Sequence, residues 1–159
     1  MRICMQMEDM RMTNLFKEGL YIKSKDGTEI KIPINAKVSL IRGNSATGKT
    51  KMIKFIADIL AAKEIAECNI DIEDIKVVRD TLEFDLLKAS KEFSNKVIFI
   101  DKFDMTDFNE SIPFIEASNN FFIICAHRNL PKCGWCKESI LELNHTKKLY
   151  ELTELDYGW

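Results

Sequence analysis

The chain has 159 residues, 46% hydrophobic and 30% charged, with three Pro and six Gly, a composition that predicts one compact domain burying its core without disulfides or metal. Its 23 basic and 25 acidic residues give a formal net charge of -2; they are well mixed, so no broad electropositive face is dictated and general nucleic-acid binding is disfavoured. The first residues carry Glu8 and Asp9 where a signal peptide needs an apolar stretch, no apolar run reaches membrane-spanning length, and the five cysteines are an odd number, which together predict a cytoplasmic protein with reduced thiols and no membrane span.

Residues 20–34 form two alternating apolar and polar runs around Lys25-Asp26-Gly27, the pattern of a β-hairpin. Residues 37–42 read as a short strand entering a glycine-containing loop. Residues 50–62 follow, with apolar side chains at 52, 53, 56, 59 and 60, the spacing of an amphipathic helix. Residues 75–78 form a further short strand, and Leu82, Phe84, Leu86, Leu87, Ala89 and Phe93 mark a helix with one buried stripe. The near-continuous apolar runs at 97–100 and 121–126 suit strands covered on both faces, with a helix expected between them near 110–117. Residues 140–143 and 148–152 resemble a closing hairpin. Strands alternating with helices predict an α/β fold: a mostly parallel sheet flanked by helices, with amino- and carboxy-terminal hairpins. The expected division is a hairpin region (1–35), an αβ core (36–135) and a terminal hairpin (136–159) within a single nucleotide-binding domain.

The chemistry concentrates in Gly43-Asn44-Ser45-Ala46-Thr47-Gly48-Lys49-Thr50, which fits glycine, four residues, glycine, lysine and a hydroxyl residue without a mismatch. At average residue usage a chain of this length would match by accident on the order of once in two hundred. Gly43 and Gly48 permit the backbone turns that aim several N–H groups at one anion, and the strand before and helix after the loop are what such a phosphate cradle needs. Lys49 is expected to reach the β- and γ-phosphates, Thr50 to ligate Mg²⁺, and Lys51 to join Asn44, Ser45, Ala46 and Thr47 in lining the nucleotide. A glycine turn that merely caps a helix is the bland alternative.

On these residues the chain resembles the P-loop NTPase superfamily, with residues 43–50 similar to Walker A. Lys96-Val97-Ile98-Phe99-Ile100-Asp101 resembles Walker B, which implies that Asp101 holds the magnesium shell. The extra strand and helix between the two motifs resemble a minimal ABC-type or AAA-type ATPase core, and the two hairpins and the strand end Cys125-Ala126-His127-Arg128 resemble the ABC-type head. That likeness implies a catalytic role for Lys49 and Asp101, a γ-phosphate contact for His127, and a phosphate-sensing or surface-pairing role for Arg128. Tyr21 lies at a distance from Lys49 similar to that of an adenine-stacking aromatic, with core packing as its alternative. The chain departs from the pattern in lacking Leu-Ser-Gly-Gly-Gln and a glutamine loop, and in placing Lys102 where family ATPases carry the Glu that polarises water. Asp104 stands near enough to substitute, or to cap a helix.

Cys133 and Cys136 have zinc-like spacing, with Cys125 and His145 as the remaining candidate ligands; reduced loop cysteines are the simpler expectation. The functional expectation is binding of Mg-nucleoside triphosphate, ATP first, with hydrolysis or ATP-dependent switching of an interface to a protein partner or a second copy. A small-molecule or nucleotide kinase, or a nucleotide-binding interaction module without turnover, are the alternatives. GTPase function is disfavoured, since Asp101-Lys102-Phe103-Asp104 lacks the switch glycine and no Asn-Lys-x-Asp reader is present.

Overall fold

The computed structural model of the protein describes residues 15, 18–42, 48–78, 93–101, 118–125 and 138–154. Its strands are β1 (Leu20–Ser24), β2 (Glu29–Ile32), β3 (Val38–Arg42), β4 (Ile65–Cys68), β5 (Ile75–Val78), β6 (Val97–Ile100), β7 (Phe121–Cys125), β8 (Glu138–Thr146) and β9 (Leu149–Glu154). Helix α1 (Lys49–Ala61) follows β3, and a 3₁₀ turn (Ile72–Asp74) precedes β5. All nine strands join one sheet in the order β4-β1-β2-β9-β8-β3-β7-β6-β5, which curls into a half-barrel.

The two alternating segments at the chain's ends pair as their patterns require. In β1 and β2, Leu20, Ile22, Ile30 and Ile32 are buried while Tyr21, Glu29 and Lys31 face outward, the period-two arrangement of a sheet with one covered face. β8 and β9 form an antiparallel hairpin, and β9 then runs parallel to β2. The apolar runs behave differently. β3, β6 and β7 are buried along their described lengths and lie parallel to one another, so neither face meets water. On one face Ile41, Val97, Phe99, Phe121, Ile123 and Leu141 share a core with Met52, Ile53, Ile56 and Ile59 of α1. Asn120, fully buried, joins two segments here: its side-chain amide donates to the Phe93 carbonyl at 2.8 Å, and its oxygen accepts the Lys96 N–H at 3.0 Å.

The expected fold class is overturned. The structure is mostly β: a nine-stranded mixed sheet, with α1 as the one α-helix whose bounds fall within the described residues, rather than a parallel sheet flanked by helices. The physical reason lies in the hairpins. Read locally, they look like appendages of a parallel core; in the structure, parallel pairing of β2 with β9 and of β8 with β3 builds them into the sheet. β4, unanticipated, extends the antiparallel part by pairing with β1. The resemblance to a minimal ABC-type or AAA-type ATPase core of the P-loop NTPase superfamily falls with the fold class, because that core is helix-rich and parallel. The hairpin at 20–34, the strands at 37–42, 75–78, 97–100 and 121–126, helix 50–62 and the closing hairpin all have counterparts within a residue or a few. The helices expected over residues 82–93 and 110–117 lie outside the described residues, apart from Phe93, which is in neither helix nor strand.

The turn between β1 and β2 carries a pH dependence. The Ser24 hydroxyl donates to Asp26 Oδ1, and the Thr28 N–H donates to the same oxygen at 2.9 Å. These bonds, Ser24 first and helped by the charge of Lys148, lower the Asp26 carboxyl from 3.8 to about 2. A carboxyl whose folded value is depressed contributes stability above its unfolded value and loses it as pH falls through the folded one. Asp26→Asn is therefore expected to flatten the fall of Tm between about pH 4 and pH 2. Identical acid limbs for parent and variant would show that the turn carries no such linkage.

Candidate functional site

Helix α1 starts against the usual rules. Gly48 occupies its N-cap in the left-handed region (φ 89°) and offers no side chain to cap the helix, and no acid stands in the first turn. Lys49 and Lys51 stand there instead. A helix N-terminus carries exposed N–H groups and partial positive charge, so cations are the residue type it least favours. Lys49 is nonetheless 5% exposed. Exposed N–H groups, partial positive charge and lysine side chains at a helix start are features that anion sites at helix N-termini share. At Gly48 the backbone angle rather than space demands glycine: an added Cβ would meet His145 Nδ1 at 3.7 Å and Leu143 Cδ2 at 4.0 Å, ordinary contacts.

Three strand ends converge beside this turn. In the parallel register Ile41 pairs with Cys125 and Ile100 with Ile124, so β3, β7 and β6 finish at one level, and Asp101 is the first residue after β6. Asp101 is 3% exposed, and its N–H donates to the Val78 carbonyl at 2.9 Å. The Thr50 hydroxyl donates to Asp101 Oδ1 at 3.4 Å, a long contact that leaves both oxygens close enough to share one small cation. Cys125, buried at the end of β7, has its thiol pushed up to about 12, mainly by burial and further by the Asp101 charge, with Lys49 opposing. At neutral pH it is a thiol rather than a nucleophilic thiolate.

No family model, curated protein or solved structure matches this chain. The site therefore stands on its own geometry. Of the residues singled out in the sequence, Gly48, Lys49, Thr50 and Asp101 are brought together; Lys51 lies exposed in the first turn of α1. Gly43, Asn44, Ser45, Ala46, Thr47, Lys102, Asp104, His127, Arg128, Cys133 and Cys136 lie outside the described residues. Tyr21 is not near this turn in the sheet, since β2, β9 and β8 stand between β1 and β3; its hydroxyl donates to Glu29 Oε2 at 2.9 Å. Among the described residues no group of three or more His, Cys, Asp or Glu side chains gathers around a metal position, and no helix is long and apolar enough to cross a membrane.

The structure adds neighbours that sequence reasoning missed. β8 pairs with β3 only as far as Glu142 opposite Arg42, so Leu143, Asn144 and His145 continue past the end of β3 to the level of Gly48. The signal available in the sequence was the alternation Leu141, Leu143, His145, which sets these residues on one face of a strand.

Proposed function

We infer that the protein binds a nucleoside triphosphate, ATP first, with magnesium at the turn between β3 and α1, and uses it as a small ATPase or ATP-dependent switch. The observation that carries this reading is the pairing of a buried Lys49, at a helix start with no acid in its first turn, with Thr50 and Asp101 held 3.4 Å apart from separate elements. In this reading residues 43–48 cradle the phosphates through backbone N–H groups, and Lys49 and Lys51 balance their charge. The two groups that meet there, Thr50 Oγ1 and Asp101 Oδ1, are oxygen donors, a hard-ligand pair that suits Mg²⁺ completed by phosphate oxygens and water; Thr50 and Asp101 would hold it. Bound there, the ion would neutralise charge on the β- and γ-phosphates.

The test is a thermal-shift panel of ATP, GTP, CTP and UTP with and without Mg²⁺. Ligand at a hundred times its dissociation constant stabilises by about 2.7 kcal/mol, or about 5–10 °C in Tm for a domain of this size. Asp101→Asn should reduce the shift with MgATP to that seen without Mg²⁺. Absence of any shift in the parent protein would overturn the reading, and a shift untouched by Asp101→Asn would remove Asp101 from the cation position.

A further inference from the structure

A second constellation borders the same turn. His145 and Tyr150 are cross-strand partners in the β8–β9 hairpin, and their rings are stacked, with centroids 4.1 Å apart and planes 8° from parallel. Tyr150 is 4% exposed and is backed in turn by Phe55 of α1, 5.8 Å away with planes at 30°. His145 is exposed. Tyr150 covers one face of the imidazole, so that exposure belongs to its other face and edges. One ring edge points to the phosphate turn, Nδ1 lying 3.7 Å from where a Gly48 Cβ would stand.

An open aromatic face, fixed in plane by a buried ring and placed at the rim of a triphosphate cradle, has the form of a stacking surface for a heterocycle. We propose that the outer face of His145, backed by Tyr150, is the platform on which the base of the bound nucleoside triphosphate stacks, with purines favoured over pyrimidines. This rests on the reading that residues 43–50 hold the phosphates. Stacking scales with ring overlap, hence the purine preference, and requires no hydrogen-bond code for one base. Phe55 ties the platform to α1, the helix whose first turn faces the phosphates, so base and phosphate positions are held by one rigid element.

Isothermal titration with MgATP, MgCTP and magnesium tripolyphosphate tests it, on the parent and on His145→Ala and His145→Phe. The expected result is tighter binding of ATP than of CTP by the parent. His145→Ala should lose about tenfold in ATP affinity while tripolyphosphate binding is unchanged, and His145→Phe, which keeps a stacking face, should retain ATP affinity. An ATP affinity unchanged in His145→Ala overturns the platform. So does an equal loss for ATP and tripolyphosphate, which would make His145 a support of the phosphate turn instead. A parent that binds tripolyphosphate as tightly as ATP also overturns the platform but leaves the phosphate site standing, whereas a parent that binds neither overturns both.

Discussion

Lys49→Ala is expected to weaken MgATP binding by on the order of a hundredfold or more while the protein stays folded. A lysine reaching two phosphates makes charge-assisted contacts worth about 1.5–3 kcal/mol each, and each 1.4 kcal/mol is about tenfold in affinity. Burial of Lys49 to 5% exposure limits the screening that weakens such contacts at a surface. Lys49→Arg should not rescue binding, because a broad planar guanidinium does not replace the compact point charge of an ammonium on a flexible stem at a buried position. Titration calorimetry on both variants, with Tm to check folding, decides the matter. Affinity for MgATP within threefold of the parent in Lys49→Ala would remove the residue from the site.

The largest loss of stability is expected at Phe99. Its ring is fully buried in β6, with Val77 and Ile123 as its partners on the neighbouring strands, and belongs to the core shared with α1. Phe99→Ala removes a large side chain from a layer closed on both faces, for which the loss is about 3–5 kcal/mol. Against a total stability of about 5–15 kcal/mol that is a large share. Urea denaturation should show the drop as a lower midpoint with little change in slope. Asp101 lies two residues beyond Phe99, so, if the proposed cation position is right, a loosened strand should also weaken Mg-dependent binding. A cost below about 1 kcal/mol would mean that the layer repacks around the deletion.

Local patterns in the sequence carried the elements well and their assembly poorly. The Lys25-Asp26-Gly27 turn and the alternation around it fix a hairpin wherever that hairpin docks, and the apolar runs at 97–100 and 121–125 report burial on both faces. β4 escaped notice because Ile65-Ala66-Glu67-Cys68 lacks period-two alternation: only its end residues are half-buried. The parallel pairing of β2 with β9 leaves no local trace at all, since it joins residues more than a hundred positions apart; this pairing, with β4, separates the observed mixed sheet from the expected parallel one. At the site the same division holds. Lys49 and Thr50 could be named from a contiguous motif, and Asp101 from an apolar strand ending in an acid. His145 reaches Gly48 only because β8 is longer than β3, the strand it runs parallel to, a relation between distant segments.

β3 owes both of its sheet neighbours to later parts of the chain, β7 at residues 121–125 and β8 from residue 138 onward. During synthesis the strand that leads into the Gly48 turn therefore emerges with an unpaired edge on each side, and one edge stays open until residues 138–142 have been made. Contacts of such separation close slowly, and an apolar strand left open in the meantime is a template for wrong pairing. A ribosome-bound fragment ending before residue 138 therefore has the whole glycine-lysine-threonine motif but lacks β8, one of the two strands that flank β3.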